Sequence, residues 1–204
     1  MVGLQICRTY PTDTFIWHVI CVAGLYRYQL GDVVRVTGFF KSSPQLAYVC
    51  RKGVELCINI DKNTEKDVQI VVEKASKMLD NLELIHFTSY ADMSSTPGHY
   101  VIFWELNIKK VTEKDYETLK ECAKEMDMAF LDVGYVISRR THTIGPLELC
   151  IVCPGTFQTL LNRYLARGIA IAQYKNPHCV KSPEVIKILR QSVIISIFSS
   201  AYND

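Results

Sequence analysis

The first residue that could do chemistry is Asp32, in the stretch GLYRYQLGDVVRVTGFF at positions 24–40. Gly31-Asp32 is a turn signature followed by a β-rich run, so the stretch predicts two strands joined by a hairpin turn at these residues. In one interpretation the Asp32 carboxylate bonds its own turn, while Tyr28 and its neighbours cover a sheet surface. In the other, the carboxylate holds a ligand. The stretch alone leaves both open.

A second kind of chemistry is suggested by Cys150 and Cys153, which have the CxxC spacing of zinc and redox sites. The chain has eight cysteines, but no second CxxC pair exists and no histidine follows at ligand spacing. Cys50 and Cys57 lie inside apolar runs, where a free cysteine behaves as a small buried hydrophobe. The sequence therefore predicts no metal site, and free thiols in the reducing cytoplasm.

Cysteine and histidine side chains together could also form a thiol hydrolase. The candidate bases are His99 and His142, with Cys50 or Cys57 as the nucleophile. No local sequence around these residues supports such catalysis. We therefore interpret them as structural residues.

Composition and charge exclude several classes of protein. The chain of 204 residues is 49% hydrophobic and 22% charged, which is typical of a folded domain with an apolar core. Its net charge of +2 gives no electrostatic basis for binding nucleic acid or an anionic membrane surface. The apolar stretch at 14–26 is shorter than a membrane span of roughly 20 residues. His18 interrupts the same stretch, which makes it a poor signal peptide.

The hydrophobic periodicity predicts helices that pack on a mixed sheet. The two TEKD tetrapeptides, which begin at Thr64 and Thr112, each resemble a capping box and open an amphipathic helix. The other elements are predicted from alternation and turn residues. Strands are predicted at 33–40, 46–53, 54–61, 83–92, 99–106, 135–139 and 146–153, with further helices at 155–168 and 182–201. This order predicts an α+β fold with a split βαβ arrangement.

Six segments in order resemble the plant acyl-acid-amido synthetases, the auxin-responsive Gretchen Hagen family of the adenylate-forming superfamily. The segments are GLYRYQLGDVV, VCRKGVELCINIDKNTEKD, PGHYVIFWEL, GPLEL, GTF and QYKNPHC. The resemblance extends from Gly24 to the C-terminus and covers roughly the last third of a family member. It implies a C-terminal lobe at 51–204, a β-hairpin remnant of the larger lobe at 24–50, and a divergent segment at 1–23.

The resemblance also implies a reaction. ATP, with Mg²⁺ as its counter-ion, adenylates a plant hormone acid, and an amino acid then displaces AMP to form an amide. INIDKNTEKD and SRRTHTIGPLEL resemble the jasmonate branch more than the indole-3-acetate branch. Because most of the family protein lies upstream, we expect this chain to be inactive alone. The alternative is a non-catalytic interaction module that pairs with the missing N-terminal lobe or with an intact homologue.

The resemblance assigns three residues near the start of the match to nucleotide binding. Asp32 would accept hydrogen bonds from the ribose hydroxyls, and Arg51 would face the same ribose. Tyr28 belongs to the same segment. Gln29 departs from the family, which more often has arginine there. A surface role, with Arg51 as a solvated strand-end charge, is the alternative.

Two lysines complete the set that the resemblance implies. Lys62 would approach the nucleotide, although an exposed charge before a helix is the alternative. Lys175, in QYKNPHC, would stabilise the charge that builds on the α-phosphate during adenylation. The family usually has arginine where this chain has His178, which predicts a looser loop. For Lys175 the alternative is a plain surface lysine.

Overall fold

A computed structural model describes most of the chain, which divides into two compact units at Val54 and Glu55. The described residues are 4–8, 14–19, 28–41, 43–51, 55–108, 110–168 and 176–202. The first unit is an antiparallel sheet in the order β1-β2-β3-β4. Its strands are β1 Leu4–Arg8, β2 Thr14–Val19, β3 Tyr28–Phe40 and β4 Ser43–Arg51.

The predicted hairpin turn at Gly31-Asp32 is wrong. β3 continues through these residues, and the chain turns instead at Lys41, whose φ is 54°. β3 pairs with β2 on one side, with Ile16 opposite Val33, and with β4 on the other side. Because both neighbours pair with this central strand, sheet pairing overrides the local turn preference of Gly-Asp.

The second unit is built on a mixed sheet in the order β10-β9-β8-β7. β8 runs antiparallel to β7 and parallel to β9, and β10 runs antiparallel to β9. The strands are β7 Leu84–Asp92, β8 His99–Leu106, β9 Glu148–Val152 and β10 Val193–Phe198, and a small ladder joins β5 Glu55–Leu56 to β6 Asn63–Thr64. The helices are α1 Glu65–Ser76, α2 Glu113–Ala129, α3 Val133–Arg140, α4 Thr156–Ala166 and α5 Pro183–Gln191.

The mixed sheet is covered on both faces, which confirms the predicted α+β class. Val101 and Phe103 of β8 share a core with Phe157 of α4 and Leu189 of α5. The side chain of Tyr100 points to the other face of the sheet, where it packs against the rings of Phe130 and Tyr135. β8 is therefore buried from Tyr100 to Leu106, as a central strand between two helical layers must be. Among the described residues, no helix is both long and apolar enough to cross a membrane.

Both predicted helix starts are confirmed as capping boxes. Thr64 accepts a hydrogen bond from the amide of Asp67, whose carboxylate accepts one in return from the Thr64 amide at 2.8 Å. Thr112 and Asp115 repeat the arrangement at α2. Each box satisfies amides that a helix leaves without partners, so four adjacent residues suffice to begin each helix.

Three predicted elements are wrong. Residues 135–139 form part of α3 rather than a strand, because Asp132 accepts a hydrogen bond from the Tyr135 amide and starts a helix. The helix predicted at 182–201 ends at Gln191, because the apolar run after it pairs with β9. The strand predicted at 54–61 is limited to β5, since the chain turns around Asp61.

A buried ion pair joins α2, α3 and the C-terminal turn. The Arg139 guanidinium donates to both carboxylate oxygens of Asp127, and the side chains are 2% and 0% exposed. The same guanidinium donates to the carbonyl oxygens of Ile144 at 3.0 Å and Ala201 at 3.1 Å. Tyr135 donates to Asp127 at 2.7 Å. The pair thus satisfies polar groups from four parts of the chain.

We expect Arg139→Met to destabilise the chain by about 3–5 kcal/mol, because it leaves the Asp127 carboxylate buried without its counter-charge. Urea unfolding followed by circular dichroism measures this loss. The control is Glu184→Gln, which removes the exposed partner of Arg163 and Arg167 and should change stability little. Equal, small effects of the two substitutions would contradict the structural role of the buried pair.

Candidate functional site

Two of the residues predicted to bind the ribose lie side by side in the first unit. Asp32 of β3 and Arg51 of β4 are Cα partners in the antiparallel register. Tyr28, at the start of β3, is opposite Val19 of β2. Asp32 and Arg51 are 19 residues apart in the sequence, and strand pairing brings them together. The structure describes the backbone at these three positions, so the roles of their side chains stay predictions.

Lys62 is exposed at the end of a rigid turn in the second unit. The preceding residue, Asp61, is fully buried, and its carboxylate accepts hydrogen bonds from the amides of Ile58 at 3.0 Å and Asn59 at 2.6 Å. The same carboxylate accepts the hydroxyl of Tyr100 from β8. Burial raises the pKa of that hydroxyl, so Tyr100 stays protonated and remains a donor.

The turn that carries Lys62 also rests on α3. The Lys62 amide donates to the Asp132 carboxylate at 3.3 Å, and Asn59 donates to Thr143 at 3.2 Å. Gly134 lies so close to the turn that an added Cβ would be 2.6 Å from the carbonyl oxygen of Ile60. The backbone of Lys62 is therefore held from two sides while its ammonium faces solvent.

Lys175 lies outside the described residues, but the segment that directly follows it is firmly anchored. The Asn176 amide group is 3.2 Å from Nδ1 of His86, and the carbonyl oxygen of Pro177 accepts the Thr88 hydroxyl at 2.6 Å. Backbone hydrogen bonds then join Ser89 to both sides of Cys179. Residues 176–180 thus add a short parallel bridge to the edge of β7.

His178 ties the same segment to the start of α1. Its amide donates to the Glu65 carboxylate at 2.9 Å, and its ring stacks on Phe87 with 4.3 Å between ring centroids. The looser loop expected from histidine at this position is therefore not found in the described part of the segment. The contact between Glu65 and His178 also joins the segment after Lys175 to the helix that follows Lys62.

A polar network that sequence reasoning missed lies at the ends of β7, β8 and β9. Arg190 of α5 donates to both oxygens of Glu148, at 2.9 and 2.8 Å, and to Asp92 at 2.8 Å. His99 Nε2 lies 3.1 Å from the Glu148 carboxylate, and Ser196 donates to it at 2.5 Å. One guanidinium thus bridges two carboxylates from different strands.

Hydrogen bonds keep both carboxylates of this network ionised. Burial by itself would raise the pKa of Glu148, but three hydrogen-bonded side chains outweigh it and lower the pKa to about 2. These partners are His99, Ser196 and Arg190. For Asp92, too, burial would raise the pKa, and hydrogen bonds that include one from Arg190 lower it. At neutral pH, ion pairs of Arg190 with Glu148 and Asp92 therefore hold α5 against β9 and β7.

Glu105 joins two of the six segments on which the family resemblance rests. It is 5% exposed in β8, and its carboxylate accepts the amides of Gly155 at 2.7 Å and Phe157 at 2.8 Å. Gly155 precedes α4 with a φ of 85° and has no side chain to cap the helix. Glu105, from the segment PGHYVIFWEL, thus caps the helix that starts in GTF.

The missed residues carry one signal in the sequence. Glu105 and Glu148 are single carboxylates inside otherwise apolar strand runs, FWEL and PLELC. A charge at such a position is buried and must be paired. The signal identifies the residue but not its partner, since Arg190 lies 42 residues from Glu148. Among the described residues, no group of three histidine, cysteine or acidic side chains could hold a metal ion.

Comparison with known proteins identifies the family. The profile of the GH3 family C-terminal domain matches residues 66–184, and that of the GH3 family central domain matches residues 17–51. The fold agrees: a solved GH3.15 acyl acid amido synthetase superposes with a TM-score of 0.78 at 40% identity, over 93% of this chain and 35% of that one. The chain belongs to the GH3 family.

Its curated relatives are amino acid synthetases. A jasmonoyl–L-amino acid synthetase, JAR4 of Nicotiana attenuata, is 50% identical over 184 residues, which are 88% of this chain and 31% of the relative. The indole-3-acetic acid-amido synthetase GH3.10 of Arabidopsis thaliana is 49% identical over 183 residues, 88% of this chain and 30% of the relative. The chain thus spans about a third of the length of the relatives it matches.

The lowered pKa values predict how acid destabilises the second unit. Glu148 binds protons less readily in the folded state, so its stabilising contribution is complete above pH 4.5 and is lost as the pH falls towards 2. We expect Glu148→Gln to flatten the loss of unfolding free energy across this range. Urea unfolding at a series of pH values measures it. The exposed Glu73→Gln is the control, and a Glu148→Gln profile as steep as that of Glu73→Gln would contradict this prediction.

The close approach at Gly134 predicts the effect of a single methyl group. Gly134→Ala must displace the carbonyl of Ile60, so we expect a loss of about 1–3 kcal/mol and changed amide chemical shifts through Lys62. Urea unfolding and ¹H–¹⁵N NMR measure the two effects. Gly38→Ala is the control, because its added Cβ meets only the flexible end of Gln45. If the Lys62 amide does not shift, α3 does not position the turn.

Proposed function

We propose that the chain is the C-terminal part of an ATP-dependent acid–amino acid ligase. The proposal is carried by the match of the GH3 C-terminal profile to residues 66–184, together with relatives that are named as jasmonoyl- and indole-3-acetic acid-amido synthetases. The acid is a plant hormone acid of the jasmonate or indole-3-acetate class. A solved relative, named as a complex with 2,4-DB, supports a carboxylic acid substrate.

In the proposed reaction the acid carboxylate attacks the α-phosphorus of ATP, forming an acyl-adenylate and releasing pyrophosphate. The amine of an amino acid then attacks the acyl carbon, the amide forms, and AMP leaves. Negative charge builds on the phosphate oxygens in the first step, and an ammonium there lowers the barrier. We assign this role to Lys175. Its neighbour Asn176 begins the anchored segment, which supports a defined position for the lysine.

Four further residues are proposed to bind the nucleotide. We propose that Asp32 accepts hydrogen bonds from the ribose hydroxyls, with Arg51 and Tyr28 beside it, and that Lys62 approaches the nucleotide. The register that makes Asp32 and Arg51 neighbours supports the first assignment. The buried Asp61 turn supports the second, because it leaves the Lys62 ammonium free to meet a ligand while holding its backbone. Mg²⁺ and most phosphate contacts are assigned to the upstream part of the enzyme.

The domain organisation and location follow from the same proposal. Residues 51–204 form the C-terminal lobe, 24–50 are the end of the preceding lobe, and 1–23 are divergent in sequence. The boundary between the compact units after Val54 supports this division, while the match to the central-domain profile begins earlier, at residue 17. We place the enzyme in the cytoplasm, which is supported by Cys122, Cys150, Cys153 and Cys179, described residues that form no disulfide.

A second candidate function is a non-catalytic module that pairs with the upstream lobe or with an intact homologue. The observation that favours it is the pair Phe39 and Phe40, which are 69% and 66% exposed at the β3–β4 turn. Apolar rings exposed at a turn are suited to burial against a partner. In this function, ATP binding by Asp32 and Lys175 would not matter.

Pyrophosphate release tests the ligase proposal. We expect none from the 204-residue chain with Mg-ATP, jasmonate or indole-3-acetate, and isoleucine or aspartate. A fusion of the upstream two thirds of the Nicotiana attenuata relative to this chain should release pyrophosphate. Lys175→Ala in the fusion should lower kcat about 100-fold or more, as loss of a charge-stabilising group does. Lys187→Ala, an exposed lysine on α5, is the control.

The outcomes separate the two functions. Release by the chain alone would show that the site closes within these residues, and would contradict the assignment of the phosphate contacts to an upstream lobe. A well-folded fusion that forms no amide, with or without Lys175, would favour the interaction module.

A further inference from the structure

An open cleft of about 880 Å³ lies where the end of α2, α3 and the C-terminal turn meet. We call it the Arg140 cleft, and its rim is formed by Lys124, Met128, Leu131, Arg140, His142 and Tyr202. Its volume falls within the range of about 300–1,000 Å³ that is usual for small-molecule sites. None of its residues takes part in the reaction proposed above, and the cleft needs a separate explanation.

The buried ion pair described above builds the walls of the cleft. Met128 follows Asp127, Arg140 follows Arg139, and Tyr202 follows Ala201, whose carbonyl accepts from Arg139. On each wall, therefore, one residue is locked in the core and the next one faces the cleft. This arrangement holds side chains from three chain segments around one space, which is the rigid support that a preformed binding site requires.

The charge of the rim points to an anion. Lys124, Arg140 and His142 form no side-chain hydrogen bond or ion pair with another residue in the described part of the chain. The Asp127 carboxylate beneath the cleft is already neutralised by Arg139. The rim therefore presents two cations, Lys124 and Arg140, together with the imidazole of His142.

The floor and the remaining rim point to an apolar body. Phe130 and Val136 line the inside, while Leu131 is 87% exposed and Met128 is 55% exposed beside them. Leu131 and Met128 would each lose exposed apolar surface on burial against a ligand, which favours binding. Cations that border exposed apolar surface select a molecule that combines an anionic group with a hydrocarbon or aromatic body.

Two residues of the rim have positive φ values, 56° at His142 and 63° at Tyr202. His142 directly follows the C-cap of α3, where its amide donates to the carbonyl of Arg139 and the amide of Thr143 donates to the carbonyl of Ser138. A positive φ is usual at such a helix end, so the hydrogen bonds that end α3 also fix the position of His142 on the rim.

We propose that the Arg140 cleft binds an amphipathic organic anion, with its acidic group at Lys124, Arg140 and His142 and its apolar body against Met128 and Leu131. The expected ligand is therefore an acid with a hydrocarbon or aromatic body. The proposal does not depend on the nucleotide reaction, since it uses none of the residues assigned to ATP.

Titration of the 204-residue chain with decanoate, followed by ¹H–¹⁵N NMR, tests this proposal. Saturable shifts are expected for the amides of Met128, Leu131, Arg140, His142 and Tyr202. Decanol, which lacks the charge, and acetate, which lacks the apolar body, should each bind at least about tenfold more weakly. Equal binding of decanoate and decanol, or shifts that map to another surface, would overturn the proposal.

Substitutions then separate charge from fold. Arg140→Gln and Lys124→Gln should each weaken decanoate binding about fivefold, as loss of one ionic contact does. Lys187→Gln, the matched exposed control on α5, should change it less than twofold. NMR spectra that remain dispersed show that each variant is folded. An effect of Lys187→Gln as large as that of Arg140→Gln would contradict a site at the cleft.

His142→Gly separates a role of His142 in binding from a role in stability, because the two roles predict opposite changes in melting temperature and affinity. Glycine accepts a positive φ without strain, so the melting temperature should stay the same or rise while decanoate binding weakens. Stability and binding that fall together would assign His142 to the fold rather than to the cleft.

Discussion

The fold of the second unit depends on one constraint: the carboxylates and the tyrosine hydroxyl buried on its central strands need partners. Tyr100 and Glu105 of β8 and Glu148 of β9 lie between two helical layers, where an unpaired hydroxyl or carboxylate would cost several kcal/mol. Tyr100 donates to the Asp61 turn, Glu105 caps α4, and Glu148 binds Arg190 of α5. Each partner lies outside the strand, so the same bonds that satisfy the sheet also place the turns and helices around it.

This constraint links the core to the positions that the family assignment makes important. The Asp61 turn carries Lys62, and α1, which follows it, holds the segment after Lys175 through Glu65 and His178. The start of α1 is thus adjacent in sequence to Lys62 and in contact with the segment that follows Lys175. Residues 176–180 are in turn fixed at the edge of β7.

The Asp127–Arg139 pair extends the same logic to the side of α2 and α3. It satisfies the carbonyl groups of Ile144 and Ala201, and in doing so it fixes the residues that follow in sequence around the Arg140 cleft. A buried ion pair is weak evidence of stability by itself, because desolvation offsets much of its attraction. Its geometric effect is clearer, because the three chain segments cannot separate without leaving the buried charges of Asp127 and Arg139 without their partners.

The sequence by itself determined the features that depend on adjacent residues. Both helices that open with TEKD begin where predicted, because a capping box is complete within four residues. The ordered segments also identified the family. Only the tertiary structure decided whether residues 135–139 are helical, whether 193–198 form a strand, and whether Gly31-Asp32 is extended. The strand at 193–198 depends on β10 pairing with β9, and the extended Gly31-Asp32 depends on β3 lying between two strands. The helix at 135–139 combines a local start at Asp132 with the distant contact of Arg139 with Asp127. Local preferences of a few tenths of a kcal/mol to about 1 kcal/mol per residue cannot outweigh such distant partners.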